Sequence, residues 1–198
     1  MYKNLIRMLV LFTVILPFQT QAQRSDEPWQ LDLAAGLSSY YAPVKSLNWS
    51  RPELVTQVGY GKPLGSRQLF SVGLQLGYSR NNYQGDALYL QLVGQITPVI
   101  ANKLELGLGL GFGYRMALYP SRPQVYDQGK WKEGKAFKSV YQVPVQLSIG
   151  YRSILLHNYT IRPYLAYQLQ PLFRYSPDLS PLPVSNTMLG LKIQQTKK

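Results

Sequence analysis

Catalysis starts with a nucleophile, a base or a metal ligand, and this sequence offers few of them. It holds one histidine, His157, and no cysteine. Ser153 lies close to His157, and a serine attacks only where a base takes its proton. Both fall in Arg152–Asn158, a segment that reads as a turn, where such residues more often shape the backbone. Without cysteine there are no disulfides or thiolate metal sites, and no other grouping suggests a metal. Gly107, Gly109, Gly111 and Gly113 recur at every second position, a strand spacing. They do not form the Gly-x-Gly-x-x-Gly signature that cradles phosphate. Neither an enzyme nor a bound cofactor is expected.

Charge is the chemistry that remains, and it collects in two places. Asp32, Glu105, Arg162 and Lys192 interrupt segments that are otherwise apolar or neutral. The stretch Tyr119–Lys138 holds five basic residues (Arg122, Lys130, Lys132, Lys135, Lys138) against Asp127 and Glu133, a net of +3. Tyr126, Trp131 and Phe137 lie among them.

The elements that must position these residues are strands. At Leu104–Tyr114 one face reads Leu104, Leu106, Leu108, Leu110, Phe112, Tyr114, and the other Glu105 followed by four glycines. Residues 70–79 and 140–151 repeat this period of two, the signature of a strand with two unlike faces. Trp29–Ser39, Leu54–Tyr60, Leu88–Ile96, Tyr159–Phe173 and Thr187–Ile193 complete a set of eight. Their lengths approach the ~9–11 residues of a tilted membrane strand. Short connections (Pro63–Ser66, Pro98–Lys103, Arg152–Asn158) alternate with long ones (Tyr40–Ser50, Tyr119–Lys138, Arg174–Ser185), the brief Arg80–Asp86 link excepted. Outer-membrane barrels pair short periplasmic turns with longer outside loops, which predicts both termini on the periplasmic side.

The first residues agree with export. Lys3 and Arg7 precede the apolar run Met8–Leu16, Pro17 ends it, and Thr20-Gln21-Ala22 suits a cleavage site. That order reads as a secretory signal peptide over residues 1–22, with one barrel domain over 23–198. The apolar run is far below the ~20 residues of a spanning helix, and no later stretch reaches that length. Lys3 and Arg7 apart, the net charge falls from +12 to +10. For an exported chain an anionic membrane surface is a better partner than nucleic acid.

Two barrels share this alternation, one in lipid and one in water. A soluble lipocalin-like periplasmic ligand carrier needs a well-charged exterior. Here the polar face is Gly, Gln, Ser and Ala, which suits the cramped interior of a narrow barrel. Trp29, Tyr60, Phe70, Tyr78, Tyr114, Tyr141, Tyr151 and Tyr159 stand where apolar faces begin and end, as two interfacial girdles would. The expected fold is therefore all-β, an eight-stranded antiparallel up-and-down transmembrane barrel, with the soluble carrier as the alternative.

On these features the chain resembles the small eight-stranded outer-membrane barrels, the class of the OmpA transmembrane domain and OmpX. Its Leu-Gly-Leu-Gly-Phe-Gly-Tyr run at 108–114 is similar to strands of Bacteroidetes-type outer-membrane barrels. It departs from them in ending on the polar Gln194–Lys198 rather than on an aromatic residue. The resemblance implies an outer-membrane location, with membrane lipid and lipopolysaccharide as neighbours. Enzymes of this architecture work with Ser, His and acids at the outer rim, whereas His157 falls in a turn on the other side.

Following parity, Asp32, Glu105, Arg162 and Lys192 all point inward, in the periplasmic half. Arg162, Lys192 and Asp32 are expected to interlock on neighbouring strands, with Glu105 reaching across, as a layer that closes the lumen. Lone charges in so narrow a space would be costly. Arg122, Lys130, Trp131, Lys132 and Lys135 are the candidates for surface contact with lipopolysaccharide or a protein. A structural or surface-interaction barrel, and a narrow conduit for a small solute or hydrophobic ligand, are the two functions left open.

Overall fold

The computed structural model describes residues 29–40, 51–64, 68–82, 85–101, 103–119, 121–122, 124–152, 154–174 and 180–195. The expected signal peptide lies outside the described residues. The described strands are β1 (Gln30–Tyr40), β2 (Glu53–Leu64), β3 (Phe70–Ser79), β4 (Ala87–Ile96), β5 (Val99–Ile100), β6 (Leu104–Leu118) and β7 (Gln124–Asp127). They continue as β8 (Lys130–Glu133), β9 (Phe137–Gln142), β10 (Val145–Tyr151), β11 (Ile154–Leu156), β12 (Tyr159–Phe173) and β13 (Leu182–Gln195).

Eight of these positions form one closed wall. Each strand pairs antiparallel with the next from β1 through β2, β3, β4 and β6. The wall continues through β9 and β10, taken together, to β12 and β13. β13 then pairs with β1 from Gln30↔Gln194 to Tyr40↔Val184, which shuts the ring. Closure leaves no free sheet edge, the condition for a sheet to stand in lipid. β9 and β10 are one wall position interrupted at Val143-Pro144, because proline has no N–H for the ladder. The ladder bridges the gap through Gly111 N–H to the Pro144 carbonyl (2.9 Å) and Val143 N–H to the Pro171 carbonyl (3.3 Å).

Alternation sorts the side chains as the period of two requires. Leu110 is 62% exposed and Leu189 is 70%, and Leu74, Leu92, Leu108 and Leu147 also face out. Gln57, Gln75, Gln91, Gln146 and Gln168 face in and are buried. The soluble-carrier alternative would need the leucines inside; in the structure they form a continuous outer belt. In water so wide an apolar face is a strong drive to associate. In hydrocarbon it costs nothing.

The aromatic residues fall at two levels. Trp29, Tyr60, Phe70, Tyr151 and Tyr159 lie at the end with short turns, where Trp29 stacks on Tyr60 with ring centroids 4.7 Å apart. Tyr78, Tyr114 and Tyr141 lie toward the opposite end, where Tyr114 and Tyr141 meet edge to face at 6.0 Å. The Tyr119–Lys138 segment differs from the expected loop. β7 and β8 form a separate hairpin in it, turned at Gln128 (φ 50°) and Gly129 (φ 81°). Two successive positive φ values make the mirror-image turn that suits strand twist.

Candidate functional site

The interior is filled in three layers. Nearest the short turns lies the charged layer, formed by β1, β6, β12 and β13. Asp32, Glu105, Arg162 and Lys192 are all buried there and all face inward, as parity predicts. The Arg162 guanidinium reaches Glu105 at 3.6 Å and donates to Gln194 at 2.6 Å and Gln30 at 3.1 Å. Asp32 accepts a hydrogen bond from the Tyr164 hydroxyl at 2.5 Å. Lys192 donates to Gln95 at 2.8 Å, with its ammonium 5.3 Å from the Tyr164 ring centroid.

The partners differ from the interlock of Arg162, Lys192 and Asp32 expected from the sequence. Arg162 pairs with Glu105 rather than with Asp32, although Lys192 stands directly between Arg162 and Asp32 in the strand register. Neutral groups complete the layer: Gln30, Gln95, Gln194 and Tyr164. A buried ion pair survives best where its remaining donors and acceptors are also satisfied. The Nε–H of Arg162 has no partner among the described residues, while the amides of Gln30 and Gln194 take one of its guanidinium nitrogens. Sequence reasoning missed them because glutamine on an inward face reads only as polar.

The middle layer is a chain of glutamine amides. Gln91 donates to Gln75 at 2.7 Å and accepts from Gln142 at 2.8 Å. Gln170 donates to Gln168 at 2.7 Å, and Gln168 donates to Gln146 at 3.2 Å. Gln170 also reaches the Gln91 carbonyl at 3.4 Å, which joins the two halves across the lumen. An amide carries both a donor and an acceptor, so it can relay such a chain without charge.

Glycines make the crossings possible. Gly113 lies between Gln91 and Gln142 in the register, and a Cβ there would stand 2.7 Å from the Gln91 Cβ. Gly107 has the same role for Gln95 and Ser148, which bond at 3.1 Å across β6. A Cβ at Gly107 would fall 2.2 Å from the Ser148 hydroxyl. The alternating glycines of β6 are thus windows through which side chains of the flanking strands meet. Tyr89 and Tyr164 use their cross-strand glycines differently, laying their rings over Gly77 and Gly190.

Toward the long connections the interior changes character. Arg115, fully buried, donates to Ser79 at 2.7 Å and Gln170 at 3.3 Å. Beyond it Tyr40, Val140, Leu172, Leu182 and Val184 form an apolar cluster inside the mouth. Neither feature follows from the charges singled out in the sequence. Arg115 is one residue past the end of the alternation read for its strand.

The surface candidates sit on or beside the hairpin. Trp131 (67% exposed) faces Tyr126 across it, with ring centroids 5.2 Å apart. Arg122 binds Glu133 at 2.8 Å in an exposed pair, which neutralises one of the expected free cations. Lys130 and Lys132 flank Trp131 on β8, and Lys135 follows the hairpin, all exposed. His157 turns β11 into β12 with φ 57°, a backbone role. Ser153 lies outside the described residues. Among the described residues no group of acids and histidine could hold a metal ion, and no catalytic constellation is present.

Searches against protein-family models and against curated proteins find no match. Solved structures do share the fold. Neisserial surface protein A is similar with a TM-score of 0.59 at 10% identity, over 84% of this chain and 96% of that one. Ail, the attachment invasion locus protein of Yersinia pestis, gives 0.51 at 14% identity, over 84% of this chain and 98% of that one. The N-terminal β-barrel domain of Pseudomonas aeruginosa OprF gives 0.50 at 9% identity, over 83% and 96%. At such identities the likeness is one of fold, and it singles out no narrower family: the chain is a small antiparallel barrel of the kind these surface proteins adopt.

Proposed function

We propose that this chain is an integral outer-membrane barrel of a Gram-negative bacterium, with a structural or surface-interaction role and a lumen closed to solutes. The observation that carries this reading is the closed ring whose exterior is a leucine belt between two aromatic levels. The short turns then face the periplasm and the β7–β8 hairpin faces outward. Inside, the charged layer, the amide chain and the apolar mouth occupy the lumen with side chains, which supports a closed barrel of eight strands. Asp32, Glu105, Arg162 and Lys192 act in this reading as the periplasmic plug. Arg122, Lys130, Trp131, Lys132 and Lys135 present a basic and aromatic surface to lipopolysaccharide or to a protein.

Fractionation tests the location. The chain should stay with the outer membrane after an alkaline carbonate wash, and release into the soluble periplasmic fraction would defeat the proposal. Planar-bilayer recording tests the lumen. The reconstituted protein should be silent, and Lys192→Ala should stay silent. Stable conductance that rises in Lys192→Ala would replace the closed barrel with a gated narrow conduit.

A further inference from the structure

The outer wall is not uniformly ridged. One groove, about 760 Å³, runs across the strands between two rows of cross-strand partners. Its lower row is Val58, Leu33, Leu191 and Pro163, and its upper row is Thr56, Ala35, Leu189, Leu165 and Ile149. Backbone of the inward residues Ala34, Gly190 and Gly150 forms its floor. Ala35, Thr56 and Pro163 are short where leucine stands elsewhere on the belt, and this opens the space. A second groove of about 640 Å³ runs parallel to it, bounded by Leu108, Leu147, Tyr167 and Thr187. Ile149 and Leu165 are the ridge shared by both.

Both grooves descend to the same rim. The first begins at Val58, midway along β2, and ends at Leu104 and Tyr151, the first residue of β6 and the last of β10. The second ends at Ile96 and Pro98, where β4 stops. Five strand spacings of ~4.8 Å make the first groove about 24 Å long. With strands tilted by ~35–45° it drops through about 15 Å, half of the hydrocarbon core. Two residues of rise separate the grooves by about 7 Å, a spacing that two acyl chains joined at one glycerol can meet.

The rim supplies the complementary charge. Arg152 N–H bonds the Lys103 carbonyl at 2.7 Å, so two exposed basic residues are backbone neighbours at the foot of the grooves. Lys103 lies over the Tyr151 ring, 5.8 Å from its centroid. Among the described residues the acids at this end of the barrel, Asp32 and Glu105, are both buried in the lumen. Among the described residues no exposed carboxylate there opposes an anion.

We propose that this face is a binding site for one anionic diacyl phospholipid of the periplasmic leaflet, with a chain in each groove and the phosphate between Lys103 and Arg152. The site rests on the membrane-barrel reading above. Native mass spectrometry of the full chain released from detergent with phosphatidylglycerol is the test. One lipid should be retained per barrel, and phosphatidylcholine should be retained at least tenfold less. Lys103→Ala with Arg152→Ala should weaken retention of phosphatidylglycerol at least tenfold. Ala35→Leu with Thr56→Leu should fill the first groove and do the same. Lys62→Ala, which removes the cation over Trp29 at 5.9 Å, should change nothing. A folded, membrane-retained barrel whose variants bind like the parent would overturn the site and leave the barrel reading intact. Preferential retention of lipopolysaccharide, or a dimer lost in Ala35→Leu, would also overturn it by giving the grooves another occupant. Protein found in the soluble fraction would defeat the underlying barrel instead.

Discussion

Arg162 shows how much a single buried side chain holds in this barrel. Its guanidinium faces one carboxylate and two amides in a buried layer of the lumen. Removing it leaves Glu105 buried without a counter-charge, so Arg162→Met should destabilise the barrel by about 3–5 kcal/mol. Combining it with Glu105→Leu removes both charges and should recover most of that loss. Denaturant unfolding in detergent, run as a double-mutant cycle, measures the coupling. A fully additive cycle would show that the pair contributes nothing together. Gly113 belongs to the same scale. Gly113→Val puts a side chain where Gln142 crosses to Gln91, with the Leu90 carbonyl 2.8 Å from the new Cβ. The expected loss is about 1–3 kcal/mol, from overpacking and a broken amide pair. The four inward charges were legible in the sequence because parity alone assigns a face. Their partners were not, since the direction a long side chain leans across a lumen depends on the shear of the whole ring.

Among the elements, β6 pairs with β4 on one side and with β9 and β10 on the other. Its outward face crosses the full belt, so it reads out depth. Leu110→Arg near the middle should cost about 2–4 kcal/mol, whereas Leu104→Arg at the rim should cost about 0–1. Equal costs for the two, measured by unfolding in bilayers, would contradict the membrane orientation. The hairpin β7–β8 makes its pairing within itself and lies in a separate sheet. Replacing residues 121–134 with a short Gly-Ser link should leave the barrel's unfolding midpoint within about 0.5 kcal/mol of the parent, as for other changes away from packed contacts. All eight wall positions were legible from period-two patterning, because one face meets apolar surroundings and the other does not. The ends were less so. β13 begins at Leu182, five residues before the expected Thr187, because Leu182 and Val184 face inward and erase the contrast between faces. β2 runs on past Tyr60 to Leu64 for a related reason: Lys62 sits on the outward face, where its stem can lie along the ring of Trp29. The hairpin was hidden for a third reason, that a two-sided exposed ribbon needs no alternation at all.

For the molecule as a whole, closure at the β1–β13 seam joins residues from the two ends of the described chain. The barrel therefore cannot be complete before its last strand is made, and every layer of the lumen includes groups from β12 or β13. Asp32 on β1 meets Tyr164 on β12 across 132 positions of sequence. Truncation before Leu182 should abolish the folded, heat-shifted band in gel electrophoresis rather than leave a smaller barrel. The amide chain at mid-height has a consequence of another kind. Its links run in one sense, from Gln142 through Gln91 to Gln75, and from Gln170 through Gln168 to Gln146. An amide has no proton to give up or take on within the range a cell surface meets. The central belt therefore keeps its orientation and its cohesion whatever the acidity on either side, while the buried ion pair of Arg162 and Glu105 lies in the floor beneath it. A bacterium moving between neutral and acid surroundings would carry a wall whose waist does not register the change.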